Sequence, residues 1–224
     1  MPDPTELTTP EFRSVAKTIK SRVTLKVLAD TANPFELSEA NVQSNNAIVL
    51  ESLEVAGMAP FHYDRGVDSI AEPWRASVLW HEDCRRVAAL LDQWGGSESS
   101  AGKLPAMFSA CGAAVLITWL PQFRNAAEAK QEQVDVDDEH LAATSAMVQN
   151  LLLLLTASGM GTYWSSGGIL KLPHVNQRLG ISNGEKLIAL VFAEYPETMQ
   201  LAAERKPGKH RDSRSHRWIR TVNL

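Results

Sequence analysis

The stretch Gln149-Asn150-Leu151-Leu152-Leu153-Leu154-Leu155-Thr156-Ala157-Ser158-Gly159-Met160-Gly161-Thr162-Tyr163-Trp164-Ser165-Ser166-Gly167-Gly168 decides how the rest of the chain is read. Five consecutive leucines leave a helix no polar face. Such a helix must be covered on every side, inside a core or at a subunit interface. Gly159-Met160-Gly161 ends it. Thr162 to Gly168 then reads as a short strand running into a glycine turn. The helix is expected from about Asp138 to Ser158, with the polar segment 122–138 ahead of it a loop or weak helix.

Outward from there, a small helix is expected up to Leu179 and a core strand in Lys186 to Glu194. On the N-terminal side, Ala113 to Leu120 is an uninterrupted apolar run typical of a buried strand. Before it come a Gly/Ser-rich stretch (95–102), an amphipathic helix from Glu82 to Trp94 and a strand opened by Pro73-Trp74. A loop from Phe61 to Ala71 holds His62, Tyr63, Asp64, Arg65 and Gly66. A helix over Glu39 to Ala56 is closed by Gly57 and Pro60. The first helix spans 9–21, with Thr9 as N-cap, Pro10 at its first position and Glu11 at its positive end. It leads into Arg22-Val23-Thr24-Leu25-Lys26, whose period of two puts Arg22, Thr24 and Lys26 on one side. Those three either form a solvated edge or touch one anionic or polar ligand.

The 224 residues are 44% hydrophobic and 21% charged, a globular composition that fits one or two domains. Two cysteines, Cys84 and Cys111, are too few for a disulfide framework and read as packing residues. The polar N-terminus lacks a secretory pattern. The apolar run 146–160 is interrupted by Gln149, Asn150, Thr156 and Ser158 and falls short of the roughly 20 residues a membrane span needs. A cytoplasmic protein without a membrane partner is expected.

Net charge is −4, which argues against general nucleic-acid binding, but Arg205 to Arg220 alone carries +6. A basic segment on an acidic body asks for a phosphate-bearing ligand, nucleic acid or the chain's own acidic face. No P-loop, G-x-G-x-x-G, G-x-S-x-G or H-E-x-x-H is present, and no His/Cys/Asp/Glu spacing suits a metal.

The ordered set of pieces carries more than any one of them. Helix, then Arg-x-Thr-x-Lys; helix, then Ala59-Pro60, a loop and Pro73-Trp74; a leucine-rich helix, then Gly159-Met160-Gly161-Thr162-Tyr163-Trp164 and Gly167-Gly168; finally Lys209-His210-Arg211. In this order the chain resembles the nitroreductase family of FMN-dependent NAD(P)H oxidoreductases, from about residue 10 to 215, as a divergent member.

The resemblance implies an α+β sandwich: a central, mainly antiparallel sheet flanked by helices, formed by residues 1–224 as a single FMN-binding domain. It further implies an obligate homodimer with FMN at the interface and a C-terminal extension (about 213–224) swapped onto the partner. Trp218-Ile219 suits such docking. The cofactor-binding residues it implies are Arg22, Thr24, Lys26, Trp164, Ser165, Ser166, Gly167, Gly168, Lys209 and Arg211. The basic ones would hold the phosphate through charge-assisted bonds, and Lys26 would reach the pyrimidine edge. The glycines would let backbone approach flavin N5. Chemistry would lie on the flavin, with NADH or NADPH giving hydride and a small organic oxidant, such as a nitroaromatic or quinone, taking it in ping-pong order.

One departure stands out. Where the family usually has Pro-Ser-x-x-Asn-x-Gln-Pro-Trp, this chain has a longer loop, with Ile70 in place of the Asn and Glu72 in place of the Gln. The usual Asn contact to the flavin is missing, and Phe61, His62 and Tyr63 become substrate-pocket candidates, with His62, Tyr63 or Arg65 candidates for the lost contact. A specialised reaction (flavin destruction or reductive dehalogenation) and a non-catalytic flavin- or nucleic-acid-binding protein are the alternatives.

Overall fold

The computed structural model describes residues 8–96, 100–122, 129–201, 203, 205–208, 215 and 218–222. Its elements are α1 (Pro10–Ser21), β1 (Leu25–Val27), α2 (Glu39–Ala56), β2 (Trp74–Leu79), α3 (His81–Gly95), α4 (Leu104–Phe108), β3 (Ala113–Trp119), α5 (Gln131–Ala157), β4 (Gly161–Ser165), a 3₁₀ turn (Gly168–Lys171), α6 (Pro173–Arg178), β5 (Lys186–Glu194), α7 (Pro196–Met199) and β6 (Arg205–Pro207).

Four strands form an antiparallel sheet in the order β2-β3-β5-β4, and β1 and β6 pair as a separate antiparallel ribbon. Alternation along β3 and β5 sorts the core into two halves. Ala113, Val115, Ile117, Ala189 and Val191 pack with Val49 of α2 and Met147, Leu151 and Leu155 of α5. Ala114, Leu116, Leu190 and Phe192 pack with Leu91 of α3, Phe108 of α4 and Val175 of α6. Helices thus cover both faces of the sheet, as the resemblance implied.

The N-cap expected at Thr9 forms, and α2 has a further one at Ser38. Thr9 Oγ1 accepts the Phe12 N–H, and Ser38 Oγ accepts the Asn41 N–H. Other expectations need correction. α5 begins at Gln131, earlier than Asp138, because polar side chains support its first turns from outside the core. Gln133 Oε1 accepts the Lys130 N–H at 3.0 Å, and Gln131 Nε2 donates to Asp135 Oδ1 at 2.7 Å. α4, α7 and β6 had no sequence signal. The leucine run is not covered on every side within one chain. Leu151, Leu152 and Leu155 are buried, while Leu153 and Leu154 line an open groove of about 310 Å³ with Val15 and Thr18 of α1 and Val55 of α2. By length and composition α5 could cross a membrane. Here Ala143, Met147, Val148 and Leu151 hold it in the core against the sheet.

Register fixes where loops can meet. Trp74 pairs with Trp119, and Trp119 with Lys186. Ser165 pairs with Leu190, so β4 runs towards that same end. The loop before β2 and the glycine turn after β4 therefore lie at one end of the sheet but on opposite edges. Three strand spacings separate those edges, about 14 Å.

Candidate functional site

The β4 edge gathers the residues that the sequence left scattered. In the β1/β6 ribbon Lys26 sits opposite Lys206. Gly208 N–H donates to Thr24 O at 3.1 Å, and Thr24 also bridges to Thr162 of β4. A Cβ on Gly208 would lie 3.2 Å from Thr24 Cβ, so the tail passes this point in tight contact. Arg22 caps α1, its N–H donating to Thr18 O at 2.9 Å. The N-terminal basic segment and the start of the basic tail are thereby joined, although they lie more than 180 residues apart in sequence. Lys209 and Arg211 lie outside the described residues, immediately beyond this junction.

Lys26 Nζ stands 5.4 Å from the centre of the Tyr163 ring, a cation–π contact. Burial pushes its ammonium below the ordinary lysine value, and the charges of Lys103 and Lys206 push it further the same way. Among the described residues neither Lys26 nor Lys103 pairs with a carboxylate. A cluster of ammonium groups suits an anionic ligand. No group of three metal-ligating side chains occurs among the described residues.

The glycine turn closes the same edge. Gly167 and Gly168 have φ of +93° and +53°, the left-handed region where a side chain is strained. Ser165 Oγ accepts the Gly167 N–H at 3.2 Å and fixes the bend. Ser166 and Gly168 are exposed, and Trp164 lies along the edge with its indole N–H donating to Ile188 O at 3.3 Å. A Cβ on Gly168 would meet Leu104 Cδ1 at 3.2 Å, so α4 flanks the turn. This brings in Lys103, the residue before α4, which sequence reasoning missed. Its only signal was a lysine closing the Gly/Ser-rich stretch.

The loop at the β2 edge is built differently. Arg65 donates to Leu120 O at 2.8 Å and Pro121 O at 3.1 Å. Arg75 donates to Glu72 O, Trp74 O and Val67 O. The Tyr63 carbonyl accepts from buried His140 at 3.0 Å, and His62 Nδ1 meets Glu139 Oε2 at 2.9 Å. Phe61 stacks edge-on to Trp74 at 5.6 Å. Ile70 closes a tight turn, its N–H donating to Val67 O. Arg65 is therefore engaged with backbone and is not available for a flavin. Phe61 and His62 instead line a groove of about 290 Å³ against Ala142, Ala143 and Ala146 of α5. Within one chain none of these residues lies on the edge that carries Lys26.

The basic tail also divides. Arg205 forms an ion pair with buried Glu194 at 2.5 Å and donates to Thr198 O at 2.8 Å. For that residue the chain's own acid is the partner. Cys84 and Cys111 are both buried in the core, in keeping with a packing role.

The family model described as the nitroreductase family matches residues 38–193. A Bacillus subtilis (strain 168) protein that carries the name NAD(P)H nitroreductase YfhC is 28% identical over 170 residues, which is 74% of this chain and 81% of the relative. Among solved structures, a nitroreductase-like family protein from Bacillus cereus superposes with a TM-score of 0.64 at 20% identity, covering 94% of this chain and 96% of its own. A nitroreductase-named protein from Desulfovibrio desulfuricans, solved in complex with FMN, gives 0.52 at 18% identity over 84% and 87%. With a family match across more than half of its length, on the sandwich and glycine turn described above, this chain belongs to the nitroreductase family.

Proposed function

We propose that this protein is an FMN-dependent NAD(P)H oxidoreductase, formed by the chain as one FMN-binding domain and acting as a homodimer. The observation that carries the reading is the joining of Arg22-Val23-Thr24-Leu25-Lys26 to the start of the basic tail, on the edge that bears the glycine turn. FMN is a phosphate-bearing flavin, and the cations, the Thr24 hydroxyl and the exposed Gly168 backbone fit its two ends. Family membership and the relatives' names, one for NAD(P)H nitroreductase activity and one for a bound FMN, support the same cofactor pair.

Bound FMN would supply the redox chemistry, taking hydride from NADH or NADPH and passing it to a small organic oxidant such as a nitroaromatic or quinone in ping-pong order. The chain's own residues do the rest. Arg22, with Lys209 and Arg211, neutralises the phosphate. Lys26, held over Tyr163 in partly desolvated surroundings, places positive charge at the pyrimidine edge, where reduction builds negative charge. Trp164 to Gly168 presents backbone rather than side chains to the hydride-accepting edge.

The dimer explains two features. The loop at the β2 edge cannot reach the chain's own basic edge, so Phe61, His62 and Tyr63 can line a substrate pocket only if a partner brings its site to them. The α1 face exposes Phe12, Val15 and Ile19, more than half of each side chain, beside the groove of Leu153 and Leu154. Trp218 and Ile219 are likewise exposed. Apolar surface of this extent marks an interface.

The test is the visible spectrum of the purified protein, before and after NADH or NADPH without oxygen. A flavin spectrum that bleaches supports the reading. A flavin spectrum that persists moves it to a specialised flavin reaction. Absence of flavin after reconstitution with FMN overturns it.

A further inference from the structure

The front of the β2-edge loop is held differently from its back. From Arg65 onward the loop is tied to its own strands: Arg65 reaches the carbonyls of Leu120 and Pro121, and Arg75 those of Val67 and Glu72. His62 and Tyr63 are gripped instead by two consecutive residues of α5. His62 Nδ1 meets Glu139 Oε2 at 2.9 Å, and His140 Nε2 lies 3.0 Å from Tyr63 O. The first contact is at the surface, with the His62 side chain 77% exposed, and the second is internal, with His140 only 1% exposed.

His140 is a costly residue for this place. A carbonyl only accepts, so Nε2 carries a proton and donates to Tyr63 O. Nδ1 is left in the interior without a hydrogen-bond partner among the described residues. Asp137, one turn earlier, has its Oδ1 3.9 Å away, beyond bonding distance, and its carboxylate accepts the Gln122 N–H at 2.9 and 3.1 Å. A leucine would fill similar space with no orphaned nitrogen. Burying an unpaired polar atom is unfavourable, and what offsets it here is the bond to Tyr63. The segment so fixed borders the groove of about 290 Å³, with Phe61 and His62 on one side and Ala142, Ala143 and Ala146 of the same helix on the other. Helix α5 thus supplies one wall of the groove and the bonds that set the opposite one.

We propose that His140 is a positioning residue for the oxidant: by holding Tyr63 O it sets where Phe61 and His62 meet a small organic oxidant. This rests on the FMN and homodimer reading above. His140 is too deeply buried to touch the oxidant itself. It acts on oxidant binding, and so on KM more than on the electron transfer that follows.

The experiment compares the wild type with H140L, H140N, H140Q and H62A, all loaded with FMN, using menadione and nitrobenzene as oxidants. It reads kcat and KM for each oxidant, FMN affinity, and the rate at which saturating NADH or NADPH reduces the flavin. H140L should raise KM for the oxidants by about tenfold, with kcat, FMN affinity and flavin reduction within about threefold of the wild type. H140Q, whose amide N–H reaches about as far as Nε2, should restore KM. H140N keeps an amide that stops short of Tyr63 O, so it should behave as H140L and carries the test where H140L does not fold. H62A should raise KM by itself, and by less in the H140L or H140N background, because both changes release one segment. An unchanged KM in H140L and H140N, a KM that H140Q leaves raised, or full additivity with H62A would each overturn the assignment. A loss of FMN affinity as large as the rise in KM would overturn it too, by making His140 a residue of the general fold. Wild-type protein that binds no FMN would overturn the cofactor reading instead, so the two failures are distinguishable.

Discussion

The two edges of the sheet treat positive charge in opposite ways. At the β2 edge, Arg65 and Arg75 point inward and satisfy five bonds to backbone carbonyls, which fixes the shape of the loop. At the β4 edge, Lys26, Lys103 and Lys206 come close enough to repel, and Lys26 is held over an aromatic ring. Guanidinium suits the first task, since its planar fork serves several fixed acceptors at once. Ammonium suits the second. One edge is a finished structural joint, and the other gathers like charges. A positively charged side chain is therefore a poor guide to a site until its partners are known.

The sharpest test of this contrast uses an arginine at the β4 side that behaves like those at the β2 edge. Arg205→Ala removes the partner of buried Glu194 and should cost about 3–5 kcal/mol of stability, read by chemical denaturation. Stability within about 1 kcal/mol of the wild type would show that Glu194 finds another partner. By contrast, replacing Arg22 and Arg211 together with alanine should lower FMN affinity by about a hundredfold or more while the apoprotein melts as before. Retained flavin would place the phosphate elsewhere.

The next effect depends on pH. His81 is buried, which pushes its proton affinity below the ordinary value of 6.5, and Arg85 acts in the same direction. The Phe35 carbonyl, Glu36 and Glu82 oppose this. The folded state thus binds fewer protons than the unfolded one. Its contribution to stability is complete above pH 6.5 and is lost as pH falls through the lowered folded value. Melting temperature should drop on acidification below pH 6.5, and His81→Gln should flatten that slope. A slope unaltered by the substitution would assign the titration to other groups.

The smallest effect concerns the β2-edge loop. Asp68 and Ser69 both have positive φ, at 57° and 62°, which non-glycine residues adopt at a cost. Ser69→Gly should relieve that strain and raise stability by about 0.5–1 kcal/mol without changing flavin content. A loss of flavin would show that the loop's exact shape matters to the basic edge, through a partner chain.

Much of the fold was legible because it depends on local patterns. The amphipathic pattern of Glu82 to Trp94, the apolar runs 113–120 and 187–193, and the cap at Thr9 each act within one element. The leucine run announced a covered helix but not which sides one chain would cover. Leu153 and Leu154 remain in an open groove because the sheet meets only one side of α5. Lys103 escaped notice because nothing in Gly102-Lys103-Leu104 is periodic or paired.

By itself, then, the sequence determined the long helices and the core strands, their order and the residue types available to bind an anion. Helix and strand formation follow from spacing along the chain, and the ordered set Arg22-x-Thr24-x-Lys26, Gly167-Gly168 and Lys209-x-Arg211 is visible in one dimension. Only the tertiary structure decided which cations are structural ties and which gather at the β4 edge. Arg205 became the counter-ion of Glu194 and Arg65 a tie for Leu120 and Pro121, whereas Lys26, Lys103 and the glycine turn converged on one edge. That outcome depends on contacts between residues far apart in sequence, formed only when β1 pairs with β6 and α4 packs against the turn.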